Sequence, residues 1–146
     1  MRNVEMKQGS HVLVDMKVHV RIKIAALWAS LMFCYIYGDF FGLFTPGKIQ
    51  SMLAGNFGPL GPTTQGILVA VSILMAIPGV MVFASLVLPP RLCRWANIVL
   101  GSAYTAIMLL TMPGAWPFYI VLGVIEVALT AWIVWCAWTW PRQAAV

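Results

Sequence analysis

The sequence predicts an all-α integral membrane protein, an antiparallel bundle of four transmembrane helices with spans at about 22–44, 65–88, 92–112 and 116–140. Three observations lead there. Of 146 residues, 62% are hydrophobic, and the mean hydropathy is +0.90. Only 9% are charged, against about 25% in an ordinary soluble domain. The four apolar stretches each approach the ~20 residues that a ~30 Å hydrocarbon layer requires. A single transmembrane domain over 22–140 results, with a lead at 1–21 and a tail at 141–146.

The lead is basic, with Arg2, Lys7, Lys17 and Arg21. Met16, Val18, Val20, Ile22 and Ile24 alternate with Lys17, His19, Arg21 and Lys23, a strand pattern. A lone strand would have no partner for its edges, so the segment reads as a juxtamembrane lead that turns helical at about 21–25. Met1 and Met16 are both candidate starts. Span one is too long for a signal peptide and carries Asp39. The loop 45–64 opens with Thr45-Pro46, which predicts a helix N-cap followed by proline at the first helical position. Residues 48–53 then form one or two interfacial turns. Gly55, Gly58-Pro59 and Gly61-Pro62 break the remainder into turns, and Thr63 or Thr64 caps span two. The loop is either a lid over an outward-facing cavity or a connection lying on the headgroups. Pro78-Gly79 predicts a kink in span two. Pro89-Pro90 separates spans two and three, because proline lacks an N–H and disfavours helix at the residue before it. Pro113-Gly114 separates spans three and four, and Pro141 closes the last.

Lys and Arg set the orientation. The lead, Lys23 just inside span one, the Arg91/Arg94 connection and Arg142 hold all the cations except Lys48. The positive-inside rule therefore predicts both termini in the cytoplasm, in a cell inner membrane. Trp95, Trp135, Trp138 and Trp140 would form the inner aromatic belt and Trp116 would mark the outer surface. The net charge of +5 is this orientation signal and predicts no nucleic-acid partner. Cys34, Cys93 and Cys136 lack disulfide, redox or zinc spacing and read as packing residues. His11 and His19 lie outside the hydrocarbon. No catalytic triad, phosphate loop, metal or cofactor set is expected.

Two of the four acids, Asp39 and Glu126, fall inside spans. Such groups cost roughly 2.5–3.5 kcal/mol on insertion scales and so face a bundle interior, a partner or a wet cavity. At a 1.5 Å rise per residue, Asp39 lies about 9 Å and Glu126 about 3 Å outward of the middle of its span. Tyr35 and Tyr104 come out at the depth of Glu126, with Thr105 close by and Ser72 slightly further out. Each span thus offers a polar group to one outer-half layer. Tyr35 and Asp39 share a face at i, i+4. Tyr119, Gly123, Glu126 and Thr130 make one stripe, and Asn97, Gly101 and Tyr104 another, mixing small and polar residues as interior membrane faces do. Gly38-x-x-x-Gly42 straddles Asp39 and would admit a neighbouring helix. The chemistry open to such a layer is proton or ligand binding; the alternative is a structural acid that only fixes packing.

Ala26-Leu27-Trp28, Tyr35-Ile36-Tyr37-Gly38-Asp39, Thr45-Pro46-Gly47, Met75-Ala76-Ile77-Pro78 and Ile125-Glu126-Val127-Ala128-Leu129-Thr130 together resemble a family of small bacterial four-span membrane proteins of unknown function. The resemblance covers about residues 17–142 and implies the architecture, not an activity. The architecture is also similar to that of DoxX-like four-helix membrane proteins, some of which sit in redox or quinone-linked assemblies.

Three functions follow as expectations. The first is a proton-linked carrier or membrane module with its site at Asp39, Glu126, Tyr35, Tyr104 and Thr105. The second is a non-enzymatic subunit or assembly partner, binding itself or another membrane protein through the Gly38/Gly42 face. The third is a quinone-linked redox subunit. Gly38, Gly42, Gly101 and Gly123 are the expected packing glycines.

Overall fold

A computed structural model describes residues 16–141; Arg2, Lys7, His11, Arg142 and the rest of both ends lie outside the described residues. The chain forms α1 (Val20–Gly42), α2 (Lys48–Leu53), α3 (Gln65–Val87), α4 (Pro90–Thr111) and α5 (Pro117–Trp138), with a single 3-10 turn at Gly58–Leu60. The four long helices are long and apolar enough to cross a membrane. They form an all-helical four-helix bundle, as the composition predicts.

The ends of the helices follow local chemistry. Helix α1 begins two residues before the expected span because the His19 ring accepts the Arg21 N–H at 3.3 Å. Thr64 caps α3 by accepting from the Ile67 N–H. Pro90 and Pro117 open α4 and α5, where a missing N–H costs nothing. One expectation is corrected. Thr45 does not cap α2; its hydroxyl donates back to the Gly42 carbonyl at 2.7 Å and closes α1. Gly47, at φ 77°, is the residue that leads into α2.

Helix α1 packs between α3 and α5, and α4 packs closely on α5 but only lightly on α3. Both described chain ends, with the α3–α4 connection, mark one end of the bundle, the terminal end. The 43–64 connection and the α4–α5 turn mark the other, the loop end. One stripe on each helix faces inward. In the terminal half these stripes close into a core of Ile24, Trp28, Leu31, Met81, Ile133 and Ala137. Large apolar residues on the outer faces, such as Phe33, Phe83 and Trp132, are exposed, as lipid-facing positions are.

A polar cluster is embedded in that core. The Trp28 indole donates to Asn97 Oδ1 at 2.6 Å, and Asn97 Nδ2 donates to the Cys93 carbonyl at 2.8 Å. Ser85 reaches the same Asn97 oxygen at 3.4 Å, and the Cys93 thiol donates to the Ser85 carbonyl at 3.3 Å. Helices α1, α3 and α4 are thereby pinned in one register. At the terminal end two arginines satisfy carbonyls that a helix end leaves unpaired. Arg21 donates to Leu86 at 2.8 Å, and Arg94 to Ala137 at 3.1 Å and Trp138 at 3.4 Å.

The tight α4–α5 seam depends on two glycines. A Cβ at Gly101 would lie 2.8 Å from Val134 Cγ2 and 3.4 Å from the Thr130 carbonyl; one at Gly123 would lie 3.0 Å from Met108 Sδ. A Cβ at Gly38 would meet only Leu122, at 3.6 Å, and one at Gly42 would have nothing within 4 Å. Gly101→Val should therefore force α4 from α5 and destabilise the bundle by about 1–3 kcal/mol, while Gly42→Ala should be neutral. Equilibrium unfolding in mixed micelles would show this; equal losses at the two positions would contradict the seam.

Candidate functional site

The inward stripes do not meet in the loop half. They separate around a cavity of about 260 Å³ whose walls come from all four long helices. Tyr35 and Asp39 enter from α1, Tyr104 and Met108 from α4, Tyr119 and Glu126 from α5. Helix α3 supplies the apolar side chains of Val71, Leu74 and Met75. The long connection folds over the same space. Asn56 and Pro62 pair across it, and Phe57 N–H donates to Gly61 O at 2.7 Å. Gly61, at φ 81° and ψ −146°, holds a backbone conformation essentially restricted to glycine. This hairpin sets Phe57 and Leu60 against the cavity.

Glu126 is the deep polar group. It is 3% exposed, and its Oε2 has no hydrogen-bond partner among the described residues. Its backbone is held firmly: Thr130 Oγ1 donates to the Glu126 carbonyl at 2.9 Å, and Thr105 Oγ1 donates to Thr130 Oγ1 at 2.7 Å. The side chain is thus fixed at its root and unpaired at its tip. Asp39 is exposed. It lines both this cavity and a second recess at the loop end, shared with Thr45, Lys48 and Trp116.

Tyr104 forms the floor. Its ring stands edge-on to Trp28 at 6.0 Å, and Tyr35 lies 6.4 Å away. Its hydroxyl donates to the Leu74 carbonyl. That carbonyl would normally receive the N–H of the residue four positions on, which here is Pro78 and has none. Tyr104 therefore supplies from α4 the hydrogen that α3 lacks. The buried proline and the tyrosine form one device across the loosely packed α3–α4 interface.

Of the expected site residues, Asp39, Glu126, Tyr35 and Tyr104 line one cavity, and Thr105 does not. Thr105 stitches α4 to α5 and borders a separate surface recess with Ser102 and Ala131. Ser72 is exposed and absent from the cavity wall, so α3 brings the Leu74 carbonyl in place of a polar side chain. Four lining residues lie outside that expected set. Tyr119 and Thr111 bond each other at 3.0 Å, and both line the cavity with Phe57 and Leu60. Tyr119 is signalled by its i, i+7 relation to Glu126, and Thr111 by the same relation to Tyr104. Nothing local signals Phe57 or Leu60.

These features define a multi-pass membrane protein with a part-sealed helical bundle and an acid-containing cavity at one end. The chain belongs to the DUF6326 family, a family of unknown function whose model matches residues 13–146. No curated protein matches it significantly, and no solved structure does.

The Tyr104–Leu74 bond has a specific test. Tyr104→Phe leaves a part-buried carbonyl unpaired and should cost about 1–3 kcal/mol. In a Pro78→Ala background, where residue 78 regains an N–H, the same change should cost much less. A double-mutant cycle measured by unfolding in micelles should give a coupling of at least about 0.5 kcal/mol; strict additivity would refute the pairing.

Proposed function

We propose that the protein is a proton-linked carrier, or a proton-linked module of a membrane assembly, whose working group is Glu126 in the loop-end cavity. The observation that carries this is the Glu126 carboxyl, set in the cavity wall with its Oε2 buried and without a partner among the described residues. A carboxyl so placed in a low-dielectric layer is satisfied by a proton, a cation or a donor on a ligand. A purely structural acid would be expected to end on a hydrogen-bond donor of its own bundle. Asp39, exposed at the junction with the second recess, is the entry group between Glu126 and solvent.

The groups that would shape proton binding at Glu126 come from three of the four long helices and from the connection. Helix α1 offers Cys34, Tyr35 and Asp39, α4 offers Tyr104, and α5 itself offers Tyr119. Helix α3 contains no titratable residue. Lys48, from the connection, shares the recess beyond Asp39. In this reading both termini lie in the cytoplasm of a cell whose inner membrane holds the bundle. The cavity then opens to the opposite side, and the core around Trp28 and Asn97 closes the path inward. The distribution of Lys and Arg supports that orientation.

Proton uptake into proteoliposomes under an imposed potential tests the proposal. Wild-type protein should take up protons, Glu126→Gln should lose the uptake, and Asp39→Asn should slow it. Each variant would be checked for helicity and unfolding midpoint. Wild-type uptake by a folded Glu126→Gln variant would sink the proposal.

A further inference from the structure

We propose that the cavity takes a small organic cation, a quaternary or protonated amine with an apolar body, held by Glu126 and Asp39 and by the aromatic rings beside them. The proposal names the ligand of the proton-linked site and rests on that reading.

Charge balance comes first. Two residues lining the cavity are acidic and none is basic. Glu126 already presents an unpaired acceptor, so the missing partner is a donor or a cation. An anionic ligand would bring negative charge to a poorly solvated space that already holds two carboxyl groups, where like charges are strongly disfavoured.

The walls then separate an organic cation from a metal ion. Hard divalent ions take six or more oxygen ligands, and most of this lining is hydrocarbon, including Leu60, Val71, Met75 and Ile107. No group of three His, Cys, Asp or Glu residues able to hold a metal occurs among the described residues. Aromatic rings are present instead: Tyr35, Phe57, Tyr104 and Tyr119 all line the space. Ring faces attract cations, and rings grouped around a site recognise quaternary ammonium groups in particular. Carboxyl groups supply the charge, rings the face, and aliphatic walls the surface for the carbon body. A volume of about 260 Å³ falls below the roughly 300–1,000 Å³ of typical ligand pockets, which limits the ligand to a small one.

Coupling to protons follows from competition for one carboxyl group. As the cation enters, the Glu126 acid loses one proton to water at the loop end and becomes the carboxylate that pairs with the cation. The net charge of the site is unchanged by the exchange. Asp39, Tyr35 and Cys34 on α1, Tyr104 on α4, Tyr119 on α5 and Lys48 beyond Asp39 are the titratable groups around this step.

Calorimetry on the full chain in nanodiscs tests the proposal. The probes are benzyltrimethylammonium and benzyl dimethyl carbinol, its neutral near-isostere. The cation should bind at least about tenfold more tightly than the neutral compound, about 1.4 kcal/mol. Titrations in two buffers of different ionisation enthalpy should show proton release on cation binding. Glu126→Gln should lose both the preference and the release. Discs of phosphatidylglycerol alone, compared with discs containing phosphatidylcholine, separate the two sources of such a cation. Weaker probe binding in the second marks a lipid headgroup as competitor, and equal binding marks a free cation as the occupant. Equal binding of the charged and neutral probes by wild-type protein overturns the ligand class, even if Glu126→Gln does not fold. If Glu126-dependent proton uptake persists in that case, the ligand class fails and the proton-linked reading stands.

Discussion

In hydrocarbon every backbone polar group must find its partner inside the protein, and the Tyr104–Leu74 bond is where that constraint shapes this bundle most. Pro78 removes one hydrogen from the middle of α3. The repair comes from α4, the helix with which α3 otherwise makes little contact. A single hydroxyl thus joins two helices across a gap that side-chain packing leaves open. The same ring rests edge-on against Trp28 and lies beside Tyr35. The bond marks the boundary between the closed half of the bundle and the half that holds the cavity.

The two halves differ because close packing is unevenly shared among the helix pairs, and α3 packs only lightly on α4. Gly101 and Gly123 bring α4 against α5, and Thr105 and Thr130 lock that seam with hydroxyls. The α1–α3–α4 side is held at the terminal end by the Trp28, Asn97, Ser85 and Cys93 cluster. Nothing comparable joins α3 to α4 beyond Tyr104 toward the loop end. The helices can therefore part there without leaving backbone groups unpaired, and the space between them is lined by side chains and roofed by the connection. Glu126 is set in that space with its main chain anchored and its carboxyl tip free. An immobile root and an unsatisfied tip are what a binding group needs, because little ordering remains to be done when a ligand arrives.

Much of the fold was legible. Proline positions and the length of the apolar runs located all four long helices, because a bilayer imposes length and proline imposes ends. The turns at 48–53 and a threonine cap at 63 or 64 could be read from local capping signals, and Thr64 is the cap. Thr45 departs from its local pattern: a threonine before proline fits a helix start, but its hydroxyl has a nearer acceptor at the end of α1. Depth counting also grouped Asp39, Glu126, Tyr35 and Tyr104, which do line one cavity. It could not separate Thr105 from them, since rise along a helix gives depth but not the direction a side chain faces across the bundle. Ser72 went astray for the same reason.

The sequence by itself determined the class of protein, its spans, the two acids within them and the layer in which they lie, because each depends on hydropathy, helix geometry and local caps. Only the tertiary structure decided which helices touch and therefore which polar groups meet. It set Tyr104 on the carbonyl that Pro78 leaves bare, folded Phe57 and Leu60 over the cavity, and left Glu126 Oε2 without a partner among the described residues. Those outcomes depend on the rotation and spacing of helices, which result from the fit of Gly101, Gly123, Trp28 and Asn97 against their neighbours. No residue carries that information alone.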